Sequence, residues 1–171
     1  MSRNIDDLKK IANTIRIDIL EMIYNIQSGH LGGSFSEVEI LTALYFDEMH
    51  YDPQNPHWEQ RDRFILSKGH TAPALYATLA NAGFFPKDKL MTSFRRINSM
   101  LQGHPDMKKT PGVEMTSGSL GIGLSTANGM ALGLKAKKLD CRVYCMIGDG
   151  ELNEGQIWEA AATASHYHLD N

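Results

Sequence analysis

A chain of 171 residues is long enough for one domain with a real core, and its composition, 42% hydrophobic and 22% charged, is ordinary for a globular protein. The net charge of −3 and the lack of any basic run argue against nucleic acid or an anionic membrane as partner. No apolar stretch approaches membrane-spanning length and residues 1–20 read as amphipathic rather than as a signal peptide, so a cytoplasmic protein is expected.

Ile5, Leu8, Ile11, Ile15, Ile19, Met22, Ile23 and Ile26 recur every three or four residues, which predicts a long amphipathic helix. Asp6, Asp7, Lys9, Lys10 and Glu21 fall on its other faces, and Ser28-Gly29 is expected to end it. The loop Ser28-Gly29-His30-Leu31-Gly32-Gly33-Ser34 follows. Its glycines let the backbone pass close to a ligand, although taken alone the plainer reading is a flexible turn with an exposed histidine. Ser34 and Ser36 each stand three residues before a glutamate (Glu37, Glu39), the spacing of a capping box. A second helix is therefore expected from near Ser36, with Val38, Leu41, Leu44 and Tyr45 turned inward. Residues 47–61, with Pro53 and Pro56, read as a surface loop whose His50 and His57 are solvated.

Phe64-Ile65-Leu66-Ser67 predicts a buried strand. Lys68-Gly69-His70 turns it into a helix running to about residues 81–83, with Ala74, Leu75, Thr78 and Leu79 inside. A short helix is expected around residues 88–94. Gln102-Gly103-His104-Pro105 carries a third Gly-His pair. The glycine-rich stretch from Glu114 to Ser125 opens a helix that passes through Ala127, Met130, Ala131 and Leu134 to about Leu139.

A second strand over residues 142–147 runs into Gly148-Asp149-Gly150, and a last helix over about residues 154–166 carries Ile157, Trp158 and Ala161. At the carboxyl end of a strand such a turn sets a carboxylate beside bare backbone N–H groups. Asp149 is thus a candidate ligand of a divalent cation, and the amides around Gly150 are candidates for phosphates sharing it. A lone Gly-Asp-Gly reads as a plain turn as well. Cys141 and Cys145 both fall on the predicted strand, roughly 13 Å apart on an extended chain, too far for a disulfide. They are expected to be reduced core thiols rather than a redox pair.

Helices interleaved with short buried strands and polar loops after the strands predict an α/β fold with a mainly parallel sheet. The order and wording of Ser28-Gly29-His30, the run from Arg61 to His70, Gly103-His104-Pro105, Thr116-Ser117-Gly118-Ser119-Leu120-Gly121 and the run from Gly148 to Gly155 resemble the N-terminal, diphosphate-binding domain of transketolase. The match runs over essentially the whole chain. The resemblance implies a thiamine diphosphate-binding fold over residues 1–171 with thiamine diphosphate and Mg²⁺ or Ca²⁺ as cofactors. It places Asp149 on the metal, the Gly150 amide at the diphosphate and Gly118 and Leu120 along the aminopyrimidine, with His70, Ser119 and Gly148 also binding the cofactor. His30, His70 and His104 would surround the reacting carbon, bind sugar oxygens and move protons. Imidazoles suit this because they donate or accept near neutral pH. Glu154 would reach the subunit interface. Three histidines on zinc are a weaker alternative, because no close His-x-x-x-His pair anchors such a site.

The same resemblance implies a pyrimidine-binding domain and a second metal-binding strand, and neither is found among these residues. Asn171 lies too early to be the family's second metal ligand. The chain is thus expected to be incomplete at its carboxyl end, a truncated product or partial sequence with an exposed sheet edge. Leu31-Gly32-Gly33-Ser34 looks most like the N-terminal subunit of enzymes divided into two polypeptides. The expected function is therefore transfer of a two-carbon ketol unit between sugar phosphates, only in company with a C-terminal subunit, and with self-association. An inactive assembly or regulatory fragment, and a subunit of a related synthase making deoxyxylulose phosphate, are the alternatives.

Overall fold

The computed structural model describes residues 4–171. Asn4 caps helix α1 (Ile5–Ile26), its side chain accepting from the Asp6 amide at 3.2 Å. The apolar stripe is as read for Ile15, Ile19 and Met22, which are fully buried, whereas Ile5 is largely exposed. The helix ends differently from expectation. Gln27, not a glycine, takes the left-handed conformation (φ 54°), and Gly29 follows at φ 154°, where a Cβ would strike the Ile23 side chain.

The second helix begins earlier than predicted. α2 (Leu31–Ser36) occupies the glycine loop itself, and α3 (Val38–Ala43) continues through a π-helical turn (Leu44–Glu48). Neither capping box forms. Ser36 donates back to the Gly33 carbonyl (2.8 Å), Ser34 is fully buried, and Glu37 turns inward to Lys68. Val38, Leu41 and Tyr45 are buried as expected, while Leu44 is only partly so. His50 and His57 are exposed.

Strand β1 (Arg63–Leu66) is followed by a 3-10 turn (Gly69–Thr71) and α4 (Ala72–Asn81). Residues 72–80 of α4 are buried all round, not on one side only. α5 (Lys89–Ser93) and α6 (Gly123–Ala136) come next; the left-handed Lys138 (φ 56°) ends the latter before the predicted Leu139. Strand β2 (Val143–Met146) leads through a 3-10 turn (Gly150–Asn153) to α7 (Gly155–His166). Cys141 precedes β2 rather than lying on it; both cysteines are free. On α7, Ile157 and Ala160 are buried, and Trp158 and Ala161 face out.

β1 and β2 pair in parallel, Arg63 opposite Val143 through Leu66 opposite Met146. Phe64 and Leu66 join Tyr144 and Met146 on the face covered by α1, α3 and α4. Ile65 and Cys145 occupy the other face, where α6 packs. Burial pushes the Cys145 thiol up to about 12, so it is inert rather than redox-active. The outer edge of β2 is not bare along its whole length, because the Val143 amide donates to the Asn171 carbonyl (2.8 Å).

Asp62 sets the register at the amino ends of both strands. Its Oδ1 accepts from the Arg142 amide (2.7 Å) and its Oδ2 from the His50 amide (2.8 Å), and the carboxylate is buried. Losing a buried acceptor of two amides costs more than the bonds themselves, because the N–H groups stay desolvated. Asp62→Ala is expected to lower unfolding stability by roughly 2–4 kcal/mol, measured by urea denaturation followed by circular dichroism.

Candidate active site

Because the strands are parallel, the loops after β1 and β2 emerge at the same end of the sheet, where α/β folds place their ligands. One buried side chain fastens them together. Glu151, in the 3-10 turn after β2, is 2% exposed. Its Oε1 accepts from the Ser67 hydroxyl (2.5 Å) at the end of β1 and from the Gly121 amide (2.8 Å), and its Oε2 from the Gly148 amide (3.0 Å). Ser67 Oγ in turn accepts from the Gly123 amide (3.1 Å) where α6 begins. A Cβ at Gly123 would overlap Ser67, so only glycine permits this closeness.

Around this knot lie the residues singled out from the sequence. His30 and His70 meet edge to face with ring centroids 5.0 Å apart. A Cβ at Gly69 would come within 2.7 Å of Ser117 Oγ, and a Cβ at Gly118 would touch the His104 ring at 3.7 Å. The Ser117 amide donates to the Pro105 carbonyl (3.2 Å). The loops bearing His70, Gly118 and His104 are therefore in contact, and His30 joins them through His70. Gly118, Ser119 and Leu120 are exposed along this rim. Burial, with the positive fields of His30, Lys68 and His104, holds His70 below the ordinary imidazole value, and Glu151 opposes this. Burial, Arg95 and His30 do the same to His104. Both rings are thus neutral near pH 7 and free to accept a proton.

Gly148 is half-buried over Lys68, whereas Asp149 and Gly150 are exposed, and nothing lies within 4 Å of where a Gly150 Cβ would sit. That turn is open to solvent, with room beside its backbone for a ligand. Among the described residues no three His, Cys, Asp or Glu side chains gather as a metal site, so the zinc alternative has no cluster to rest on. Glu154 is exposed at the start of α7, and its Cβ would lie 2.9 Å from a Cβ at Gly121.

The comparisons with known proteins agree with this arrangement. Residues 7–171 match the family described as transketolase, thiamine diphosphate binding domain. The chain belongs to that transketolase family. It is 51% identical over all 171 residues to a 6-deoxy-6-sulfo-D-fructose transketolase subunit of Clostridium sp., covering 62% of that protein. It is 46% identical to an apulose-4-phosphate transketolase subunit of Actinobacillus succinogenes, a match covering 97% of this chain and 60% of the other. Among solved structures, transketolase of Campylobacter jejuni superposes with a TM-score of 0.92 at 34% identity, over 99% of this chain and 28% of that one. The chain thus spans about three fifths of the two subunit relatives. These relatives are named as transketolases, which favours the transketolase branch over the related synthase.

Glu151 and Ser67 lie inside the family-like runs, yet the sequence alone suggests no role for either. A cue exists, since a glutamate inside a glycine-flanked turn after a strand has amides on every side, but its partner Ser67 is 84 positions away. Gln at 151 would turn an NH₂ toward the Gly121 or Gly148 amide, donor against donor. Glu151→Gln is expected to cost roughly 2–4 kcal/mol, read from chemical denaturation.

Glu37 and Lys68 form a second buried pair below the turn (2.9 Å). Burial outweighs the pull of Lys68 and raises the Glu37 carboxyl from 4.5 to about 7. Between those values the native chain holds a proton that the unfolded chain has lost, so stability is present below pH 4.5 and declines as pH rises through 7. Glu37→Gln should flatten that decline, and urea titrations at a series of pH values on both proteins will show the difference in slope.

Proposed function

We propose that this chain forms the N-terminal part of a divided transketolase that passes a two-carbon ketol unit between sugar phosphates, its pyrimidine-binding domain supplied by a partner polypeptide. The observation that carries the reading is the meeting of His30, His70 and His104 beside the open Gly-Asp-Gly turn at the carboxyl ends of β1 and β2. The two subunit relatives are named for anionic sugars, a sulfo-sugar and a sugar phosphate, which supports substrates of that class.

When bound, thiamine diphosphate supplies the electron sink that lets a carbon–carbon bond beside a ketone be cut. In this reading Asp149 would hold Mg²⁺ or Ca²⁺, and the Gly148 and Gly150 backbone would bind the diphosphate. Gly118, Ser119 and Leu120, with His70, line the aminopyrimidine. His30, His70 and His104 hold the sugar hydroxyls and exchange protons with them, the neutral state of His70 and His104 making them acceptors. Glu154 stands at the contact with the next subunit, beside the exposed Leu120, Ile122, Leu152 and Trp158.

Calorimetric titration of thiamine diphosphate in Mg²⁺, with the chain and its partner subunit together, tests the site. Asp149→Ala is expected to weaken binding at least about tenfold, and an unchanged affinity would overturn the assignment. The chain without a partner is expected to give no turnover of xylulose 5-phosphate with ribose 5-phosphate.

A further inference from the structure

The three histidines come from three separate loops, and one further side chain touches two of those loops. Arg95 follows Phe94, which is buried and packs edge to face with Tyr76 at 6.3 Å. The Arg95 amide donates to the Leu101 carbonyl (2.8 Å), and the residue adopts φ 52°, a left-handed backbone that a non-glycine seldom takes. From there its Nη1 donates to Ser28 Oγ at 2.8 Å, two residues before His30. The guanidinium also lies against Gly103, the residue before His104. A Cβ at Gly103 would sit 3.4 Å from Cζ, 3.5 Å from Nε and 3.6 Å from Nη2. Nε is buried with no hydrogen-bond partner among the described residues. The Tyr76 hydroxyl holds the same loop by donating to the Gln102 (2.9 Å) and His104 (3.1 Å) carbonyls.

We propose that Arg95 is a positioning residue, a planar clasp between the Ser28 loop and the Gly103 loop that fixes His30 and His104 relative to one another. The geometry suits a guanidinium and not an ammonium. A flat, forked cation can lie on a glycine and donate sideways to a hydroxyl, whereas lysine offers only a point charge. The clasp also brings a fixed positive charge to His104, which has His30 as its other charged neighbour. Its catalytic consequence rests on the reading of His30 and His104 as the sugar-handling groups. The clasp itself is testable without cofactor, partner or turnover, so its failure and the failure of that reading are separable.

The test is NMR on the full chain, following the His104 ring titration and backbone amide relaxation. In Arg95→Met the His104 midpoint moves up toward the ordinary imidazole value. The Gly29, His30 and Gly103 amides, which donate no hydrogen bond among the described residues, gain mobility, and their order parameters fall. Arg95→Lys keeps the charge and loses the fork, so the His104 midpoint holds while those order parameters still fall. Ser28→Ala, which leaves Arg95 intact, lowers the order parameters of Gly29 and His30 and leaves the His104 midpoint unmoved; it serves if the Arg95 variants do not fold. Unchanged order parameters in Ser28→Ala, a His104 midpoint indifferent to Arg95→Met, or added mobility spread equally over α1 would each overturn the proposal.

Discussion

A single desolvated carboxylate holds the working end of this molecule together. Glu151 has almost no contact with solvent, and a buried carboxylate persists only if donors replace the water it has lost. It receives three, from the ends of three different segments: Ser67 after β1, Gly121 before α6 and Gly148 after β2. Each donor is thereby fixed in relation to the others. The glycines follow from this, since a side chain at Gly123 would push Ser67 away and one at Gly69 would strike Ser117. Fixing those backbones leaves the outer surfaces of the same loops bare, with Gly118, Asp149 and Gly150 facing out. The polar frame sits behind and the exposed backbone in front.

The frame also sets the charge of the site. Lys68 leans over the half-buried Gly148 but spends its ammonium on Glu37. Burial is the main reason a proton is disfavoured on His70 and His104; the fields of His30, Lys68 and His104 add to it at His70, and those of Arg95 and His30 at His104. A group of histidines within reach of one another's fields is self-limiting in this way: the first to ionise raises the cost for the next. Neutral rings result from burial reinforced by these neighbouring charges, with no need for a dedicated partner to each.

How much of this is legible in the sequence follows from the range of the interactions concerned. Ile15, Ile19 and Met22 on α1, the β1 run and the Gly-Asp-Gly turn are local patterns, and each is readable because a few neighbouring residues decide it. The start of α2 misleads because Ser34 and Ser36 have capping-box spacing, yet tertiary packing draws Ser34 and Glu37 into the interior and leaves the caps unmade. The end of α1 misleads because Gly29 draws the eye, whereas the side-chain amide of Gln27 donates to the Tyr24 carbonyl (2.6 Å) and stabilises its own left-handed turn. The histidines stand out through their glycines and the family order. Their convergence is not readable from spacing, because it depends on contacts between segments separated by dozens of residues. Glu151 and Arg95 escape notice for the same reason.

The division between core and site explains why so small a sheet suffices. The largest buried cluster is built from α1, α3 and α4, with α4 enclosed on every side; β1 contributes Phe64 and Leu66 to it, and Tyr144 and Met146 of β2 pack against it. The strands chiefly set direction: their parallel pairing brings two chain reversals to one end, and Asp62 locks the register from the other. Stability is thus concentrated in helix packing, while positioning of the site depends on a few buried polar atoms. Changes in the α1–α4 packing should then act on the amount of folded protein alone, and changes at Glu151, Ser67 or Arg95 on the shape of the site as well as on stability. Such a separation is what a fold needs if its loops are to vary in chemistry without the core being rebuilt.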